Sequence, residues 1–539
     1  MKADVIDTSA FLFSKTQLLL IIRQSFFCIF LQTNCSMKYL FALLFLITTS
    51  VHAQEPPAFI KDSLERYIER GMKDWNIPGL AITIVKDGKV VFIKGFGVKE
   101  VGKPEKVDAN TLFIIASNSK LFTGTSLALA EHEKKLSLDD KVTQYIPWFK
   151  LYDSTSTKLA TVKDMLCHRL GTKTFQGDFT FWNSNLPKDS IIWKMRLLKP
   201  EGEFRQNYGY CNAGFLVAGE ILQQVTGSTW EKFVQDRMLN PIGMTNTYMN
   251  TAGMGGRKNV AVPYSNSFGP LSKLPYDEID NLGPATSMVS CVNDLSKWLM
   301  FQLDSGKING QAVIPWQAMQ KTRDGNILTG TRKSPYYPTH FRAYGLGEYM
   351  TDYNGKQVYW HTGGAFGFVT NVCFIPEEKL GISILTNNDN QNFFEALRYQ
   401  IMDAYLGVPY VDRSKFLLQF QQQDQVLNDS KMKGWEERAK KKPSLPVSAD
   451  AFVGTYYNHV YGNMQIVKEN NELTVLLSHH PKLKGKLEYI DNKNFLLTWN
   501  HPSYGKFAVP FEIKNNKVSA IEIKASDFVE YDGYVFLKN

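Results

Sequence analysis

Cysteine is scarce in this chain, with six residues in 539, and no two of them form a Cys-x-x-Cys pair. Metal centres of the zinc or iron–sulfur type need clustered cysteine or histidine ligands. The sequence therefore predicts no metal and no cofactor. A large core makes a disulfide framework unnecessary, so we expect single buried thiols at Cys167, Cys211, Cys291 and Cys373.

A concentrated basic surface is also missing. The net charge of +9 is modest for this length, and the basic residues are spread along the chain apart from the run at Lys440-Lys441-Lys442. Nucleic-acid-binding domains cluster their Lys and Arg on one face or stripe. We therefore expect no nucleic acid partner and a small-molecule or peptide substrate, and the oligomeric state stays open.

Long apolar runs are absent near the start of the chain. The stretch from Gln17 to Leu31 is broken by Arg23 and is too short to span a bilayer comfortably. From Met37 the chain reads MKYLFALLFLITTSVHAQ, a short charged region, an apolar run and a small-x-small cleavage site, as in a secretory signal peptide. We predict that translation starts at Met37, so that residues 1–36 are an upstream over-call of the start site. We also predict a signal peptide at 37–53 and export to the periplasm. An uncleaved membrane anchor is the alternative.

The pattern of the chain changes near residue 412. Residues 54–411 begin with a hairpin signal at Asp87-Gly88, continue with helices and end with strands and a helix, so the two ends are expected to share one antiparallel sheet. This predicts an α+β domain in which helices flank the sheet beside a helical lobe. Residues 412–448 are polar and are interpreted as a helical or extended linker. Residues 449–539 alternate in short stretches and predict a small all-β domain, sandwich or barrel-like.

Individual elements follow from periodicity and turn residues. Helices are predicted at residues 58–73, 117–133, 212–225, 294–303 and 393–406, and later strands at 357–360, 368–375 and 381–386.

A serine and a lysine, Ser117 and Lys120, lie three residues apart at the start of a predicted helix. Serine must lose its proton as it attacks, and residues three apart on a helix share a face. Burial would lower the pKa of Lys120 from its usual value of about 10.4 and allow it to act as the base. The spacing recurs at Ser503 and Lys506, where no helix is predicted to align the pair. We therefore favour Ser117 as the nucleophile, with a chance match as the alternative.

A Tyr-x-Asn pair, Tyr210 and Asn212, stands at the entry to a second predicted helix. The same pattern occurs at Tyr264, Tyr456 and Tyr461, but only Tyr210 adjoins both a helix and the aromatic loops at 172–207. In this position Tyr210 can act as a phenolate or a proton relay, while the amide of Asn212 binds Lys120 and the substrate. A core tyrosine with a satisfied hydroxyl is the alternative for Tyr210.

A third motif, His361-Thr362-Gly363-Gly364, follows one predicted strand and precedes another. Glycines allow a substrate backbone to lie against a strand edge, and an N–H group there can complete an oxyanion hole. His361 would line the site with a charge that depends on pH. His168 lies on an apolar segment, and no G-x-S-x-G motif surrounds Ser117. We interpret His168 as a buried, hydrogen-bonded residue.

In this order, the three motifs resemble the Ser-x-x-Lys, Tyr-x-Asn and Lys/His-Thr-Gly motifs of class C β-lactamases and penicillin-binding proteins. That group includes DD-carboxypeptidases, D-aminopeptidases and esterases. The resemblance extends over residues 57–406 and includes sequence between the motifs, such as NPIGMTNT. The β-rich tail is similar to a domain of unknown role that such hydrolases often carry.

The resemblance implies a role for each motif residue. Ser117 would form the acyl-enzyme, Lys120 and Tyr210 would share the base and acid work, and Asn212 would orient both. The N–H groups of Ser117 and Gly364 would form the oxyanion hole.

Histidine replaces the lysine with which this motif begins in most β-lactamases, and His361 therefore weakens the fixed positive charge for a substrate carboxylate. We expect an exported serine hydrolase that cleaves an amide, peptide or ester, with D-amino-acid or cell-wall peptides among the candidate substrates. A β-lactamase is one alternative. A penicillin-binding or sensory module with little turnover is the other.

Overall fold

The hairpin predicted at Asp87-Gly88 opens the main sheet of the computed structural model, which describes residues 55–470 and 472–539. The predicted upstream extension at 1–36 and the predicted signal peptide at 37–53, and with them Cys28 and Cys35, lie outside the described residues. Numbering only the strands of the two large sheets, the main sheet contains β1 Gly79–Lys86, β2 Lys89–Gly97, β3 Ile327–Gly330, β4 Arg342–Tyr344, β5 Tyr349–Tyr353, β6 Lys356–Ala365, β7 Phe368–Ile375 and β8 Leu380–Thr386. Their spatial order is β2-β1-β8-β7-β6-β5-β4-β3, and every pairing is antiparallel.

Helices cover both faces of this sheet. Successive side chains of a strand point to opposite sides, so a strand with apolar residues throughout needs a covering layer on each face. On β1, Ile82 and Ile84 join one apolar cluster and Ala81 and Val85 join another. The helices of ten or more residues are α1 Leu64–Asp74, α2 Ser119–His132, α3 Asn212–Thr226, α4 Val292–Leu303, α5 Phe393–Leu406 and α6 Arg413–Lys440. Side chains of α1 and α5 belong to the first cluster, and those of α2, α3 and α4 to the second.

Short elements build the lobe that contains α2 and α3. The α-helical ones are Val142–Tyr145, Ser154–Leu159, Val162–Leu166, Asp178–Phe181, Lys188–Lys194, Trp230–Val234, Asn240–Ile242, Gly283–Thr286 and Trp316–Thr322. Two-residue strands pair Phe113–Ile114 with Val289–Ser290, Tyr264–Ser265 with Ser272–Lys273 and Lys307–Ile308 with Gln311–Ala312. The four cysteines of the described chain are buried free thiols, as predicted.

The last part of the chain is a closed antiparallel barrel of eight strands. The strands are β9 Gly454–Asn458, β10 Gly462–Glu469, β11 Glu472–Leu477, β12 His480–Asp491, β13 Asn494–Trp499, β14 Lys506–Lys514, β15 Lys517–Ile523 and β16 Tyr534–Lys538. The polar segment before the barrel contains α6. The predicted fold class, an α+β domain followed by a small all-β domain, is confirmed, whereas the domain boundaries remain predictions.

The first domain contacts the barrel through the loops at 172–207. The ring of Phe179 lies among five aromatic side chains of the barrel, with ring centroids 5.5–6.5 Å away: Tyr461, His480, Trp499, Tyr504 and Tyr534. A lysine of the same loops, Lys194, donates its ammonium hydrogen to the carbonyl of Val460 at 2.6 Å. The aromatic residues of these loops therefore bury apolar surface against the barrel.

Two local predictions were wrong. The helix predicted to begin at Ser117 begins at Ser119, and Ser117 lies on a 3₁₀ turn, Ala116–Asn118. The segment His361–Gly364 does not separate two strands but lies within β6. Among the described residues, no helix is long and apolar enough to cross a membrane.

Candidate active site

Ser117 lies on a tightly held turn between the sheet and α2. Ala116 has φ of +45°, a left-handed conformation that costs energy for a residue with a side chain. The amide of Asn118 secures the turn by donating to the carbonyl of Ile115 at 3.0 Å and to the hydroxyl of Thr370 at 2.8 Å. The turn is therefore fixed against β7, and it presents Ser117 at the start of α2.

Lys120 is fully buried, and three oxygen atoms surround its Nζ. The distances are 3.0 Å to Oγ of Ser117, 2.7 Å to Oδ1 of Asn212 and 2.9 Å to the carbonyl oxygen of Ala285. Burial lowers the pKa of Lys120 well below its usual value, against the opposing effect of Asp178. The lysine predicted from the Ser-x-x-Lys spacing thus contacts the serine and has a depressed pKa.

Asn212 connects the lysine to a carboxyl group that the sequence analysis missed. Its Oδ1 accepts from Lys120, and its Nδ2 donates to Oδ2 of Asp178 at 2.7 Å. These two partners fix which end of the amide carries the nitrogen. Burial, followed by the charge of Glu530, raises the pKa of Asp178 well above its usual value. The only sequence signal for Asp178 was its place in the aromatic loops at 172–207.

The ring of Tyr210 packs beside the lysine. It stacks on His168 at a centroid distance of 4.1 Å and meets Phe175 edge to face at 5.4 Å, and Nζ of Lys120 lies 4.6 Å from its centroid. Burial raises the pKa of Tyr210 well above 10, and a hydrogen bond with Ser117 lowers it by less. The phenolate form is therefore disfavoured at neutral pH, and the proton relay and the core tyrosine both stay predictions for Tyr210.

His168 is buried and hydrogen-bonded, as predicted. It is fully buried, and its Nδ1 accepts from the backbone N–H of Cys211 at 3.0 Å. Burial lowers the pKa of His168 well below its usual value, so the ring is neutral. A neutral acceptor at this place holds the backbone between Tyr210 and Asn212.

The third motif lies on the part of β6 that extends past its neighbour. The pairing of β5 with β6 ends at Trp360, so the segment from His361 to Ala365 continues beyond β5. His361 is buried, its Nδ1 lies 2.9 Å from the carbonyl of Thr362, and its Nε2 lies 3.0 Å from the hydroxyl of Tyr344. A carbonyl only accepts, so Nδ1 carries the proton and Nε2 accepts from Tyr344. Burial, and then Lys120, lowers the pKa of His361 to about 3.

The two glycines of the motif face different neighbours. A Cβ atom on Gly363 would lie 1.9 Å from the carbonyl oxygen of Ile115, so the strand approaches the backbone beside the serine turn as only glycine permits. A Cβ atom on Gly364 would meet the ring of Phe528, a barrel residue, at 3.1 Å. Thr362 accepts at its hydroxyl from the amide of Asn371 at 3.0 Å.

The structure does not bring the repeated motifs into this site. Ser503 lies on a 3₁₀ turn of the barrel, and the nearby Lys506 pairs with Glu436 at 2.6 Å rather than with a serine. The hydroxyl of Tyr264 accepts from the backbone N–H of Val101. In contrast, Ser117, Lys120, Tyr210 and Asn212 form one connected cluster.

Two family models match the chain. The first, described as Beta-lactamase, covers residues 64–406, and the second, described as a domain of unknown function (DUF3471), covers residues 436–535. The unguisins hydrolase ungD of Aspergillus violaceofuscus is 24% identical over 440 residues, which are 75% of this chain and 76% of that protein. Protein flp of Staphylococcus aureus strain N315 is 27% identical over 352 residues, 64% of this chain and 67% of that protein.

Among solved structures, the octameric penicillin-binding protein homologue from Pyrococcus abyssi has the same fold. The TM-score is 0.56 at 21% sequence identity, and the match covers 88% of this chain and 99% of that chain. The match therefore extends beyond the first domain into the barrel region.

Proposed function

Because the chain belongs to the beta-lactamase family, as the order of its three motifs predicted, we propose that it is a serine hydrolase that forms an acyl-enzyme on Ser117. The assignment to class C remains a prediction. The observation that carries the proposal is the set of partners around Lys120. A neutral amine has two N–H groups and one lone pair. The oxygens of Asn212 and Ala285 accept the two N–H groups, so the lone pair faces the hydroxyl of Ser117.

In the proposed reaction Lys120 is the general base. Oγ of Ser117 bonds to the substrate carbonyl carbon while its proton passes to Nζ, and the carbonyl oxygen takes the negative charge. When the tetrahedral intermediate collapses, the bond to the alcohol or amine breaks. The proton returns to that leaving group through the hydroxyl of Tyr210. Water then adds to the acyl carbon while Lys120 takes its proton, the bond to Oγ of Ser117 breaks, Oγ regains a proton through Tyr210, and the carboxylic acid leaves.

The neutral state of His361 supports a substrate without a carboxylate beside the scissile bond. Above pH about 3 the imidazole carries no charge, so it offers no cation of the kind that a lysine would provide in the same motif. We propose an uncharged ester, amide or internal peptide bond as the substrate class, with D-amino-acid peptides as a candidate within it. A relative named as a hydrolase of unguisins supports turnover over simple binding.

The decisive experiment combines active-site labelling with turnover. Purified wild-type protein, Ser117→Ala and Ser503→Ala are treated with a fluorescent fluorophosphonate and a fluorescent penicillin. Hydrolysis of a short-chain p-nitrophenyl ester, a D-Ala-D-Ala peptide and a chromogenic cephalosporin is then followed. We expect labelling and ester turnover in wild type and Ser503→Ala and neither in Ser117→Ala.

Each other outcome has a distinct meaning. Labelling that persists in Ser117→Ala contradicts the proposed nucleophile. Penicillin labelling without turnover of any substrate favours a binding module, and rapid cephalosporin hydrolysis favours a β-lactamase.

We also propose that the chain is exported, which the signal-like sequence after Met37 supports. Expression in a Gram-negative host followed by mass spectrometry of the periplasmic product is expected to give an N-terminus at Gln54. Recovery of the uncleaved chain in the membrane fraction would favour the anchor instead.

A further inference from the structure

A carboxylate of the barrel reaches into the first domain next to the site. Glu530 lies in the loop between β15 and β16 and is buried, with 3% of its surface exposed. Its Oε1 accepts from the backbone N–H of Gly177 and its Oε2 from that of Phe179, both at 2.9 Å. These donors belong to the residues on either side of Asp178. A single carboxylate therefore binds the backbone on both sides of Asp178, the residue that accepts from Asn212.

These two hydrogen bonds fix the orientation of Asp178, which the short local helix could not fix by itself. Asp178 begins a helix of only four residues, Asp178–Phe181, and helices this short are not stable alone. Gly177 has φ of +92°, so the chain enters the helix through a turn. The N–H groups at a helix start have no partner within the helix, and Glu530 accepts two of those around this turn. The hydroxyl of Tyr534 donates to Oε2 of Glu530 at 2.9 Å and holds the carboxylate in place.

We propose that Glu530 is a positioning residue for the hydrolase reaction, an inference that rests on the proposed function. Glu530 fixes the backbone of Asp178, Asp178 accepts from the amide of Asn212, and Asn212 accepts from Lys120. The barrel therefore contributes to the geometry of the catalytic lysine without touching the substrate.

The charges of these groups agree with that role. After burial, Glu530 is the next cause that raises the pKa of Asp178, and it favours the neutral carboxyl. An ionised Asp178 would raise the pKa of Lys120 and favour its protonated form. Burial raises the pKa of Glu530 itself to about 7, so it is the ionised fraction of Glu530 that helps to keep Lys120 in the unprotonated form that the reaction requires. This adds an electrostatic effect to the positional one.

The test is the single-turnover rate of fluorophosphonate labelling in Glu530→Gln. The amide keeps the size of the side chain but offers one acceptor oxygen, so its NH₂ group faces a backbone N–H group. We expect the rate constant to fall roughly 10- to 100-fold, the range for catalytic groups displaced by a fraction of an ångström to 1 Å. The amplitude of labelling reports the folded fraction separately, so a variant that only unfolds loses amplitude and keeps its rate constant.

Asp532→Asn is the matched control. Asp532 lies in the same loop and pairs with Lys173 at 3.0 Å, a contact to the first domain that does not involve the turn at Asp178. We expect its labelling rate constant to equal that of wild type. Equal rate constants for Glu530→Gln and wild type would overturn the positioning role. If Asp532→Asn is as slow as Glu530→Gln, the effect belongs to the loop as a whole and the role of Glu530 is also rejected.

Asp178→Ala tests the connection independently of whether Glu530→Gln folds, because it removes the oxygen that accepts from Asn212. We expect this variant to be slowed as well, and the double variant to be no slower than the slower single variant, because both act through one path. An unchanged rate constant in Asp178→Ala, or multiplied effects in the double variant, would contradict the proposal. Labelling of Ser117→Ala at the wild-type level would instead refute the proposed function. Failure of the positioning role and failure of the proposed function are therefore distinguishable.

Discussion

Replacement of Gly363 by alanine tests how closely β6 approaches the turn that carries Ser117. The added Cβ atom would lie 1.9 Å from the carbonyl oxygen of Ile115, 2.6 Å from the hydroxyl of Thr370 and 2.8 Å from the amide nitrogen of Asn118. An ordinary non-bonded contact needs about 3.5 Å, so the backbone must separate by about 1.5 Å at this point. No side-chain rotation can relieve the contact with Ile115, because its partner is a main-chain oxygen.

Two consequences follow from that displacement. Overpacking of a close-packed interior costs about 1–3 kcal/mol, and we expect Gly363→Ala to lie at the upper end of that range. Ile115 directly precedes the turn that carries Ser117, so the strand and the nucleophile separate. A misplacement of about 1 Å lowers a reaction rate by roughly 10²-fold. We expect both a lower melting temperature and slower acylation of Ser117.

The adjacent glycine gives the matched comparison for stability. A Cβ atom on Gly364 would meet only the ring of Phe528, at 3.1 Å and 3.3 Å. A side-chain ring can shift by a few tenths of an ångström, so the expected loss is below about 1 kcal/mol. Circular dichroism melts of both variants and fluorophosphonate labelling of Gly363→Ala provide the measurements. A Gly363→Ala protein as stable as Gly364→Ala, with wild-type labelling, would refute the close approach.

Three further predictions concern the base, the relay and the imidazole. Lys120→Arg is expected to acylate roughly 10²–10⁴-fold more slowly, because a guanidinium keeps its proton at neutral pH; stopped-flow labelling checks this, and a wild-type rate would exclude Lys120 as the base. Tyr210→Phe is expected to lower steady-state ester turnover by roughly 10²-fold or more while the variant stays folded; unchanged turnover would remove the relay. The pKa of His361 lies near 3 in the folded protein and near 6.5 when unfolded. The unfolded state therefore takes up the proton first, and the stability that the neutral ring confers above pH about 6.5 is lost as the pH falls towards 3. Between pH 6.5 and 4 this loss is about 3 kcal/mol. Urea unfolding of wild type and His361→Asn at both pH values is expected to show a smaller loss in the variant, and equal losses would contradict the assignment.

Local patterns in the sequence predicted those parts of the fold that local chemistry controls. The hairpin turn at Asp87-Gly88 needs two left-handed residues, and both have positive φ. The helix Phe393–Leu406 ends before Gly407, whose φ is +67°, and its predicted bounds agree with the observed ones. The spacing of Ser117 and Lys120 was informative for the same reason, although the serine lies on a 3₁₀ turn rather than on the helix.

The errors arose where tertiary contacts override propensity. Glycines weaken an isolated strand, and the segment His361–Gly364 was placed between two predicted strands rather than within one. In the folded protein these residues continue β6, because the carbonyl of Ile115 occupies the space of a side chain. A sequence carries no mark of such an approach between segments that are far apart in the chain. The placement of Gly363 beside the substrate stays a prediction, and the close approach to Ile115 gives a second reason for glycine that the motif alone did not indicate.

Asp178 and Glu530 show a different limit of prediction from sequence, which is contact between residues far apart in the chain. Phe179 and Glu530 are 351 residues apart in the chain, and no spacing rule joins them. The side chain of Phe179 is packed among barrel aromatics, and its backbone N–H is bound by a barrel carboxylate. Both contacts are made by the residue next to Asp178, so loosening the barrel would release the group that holds Asn212. If Lys120 is the proposed base, the stability of the barrel and the geometry of that base are coupled through the single turn at Asp178.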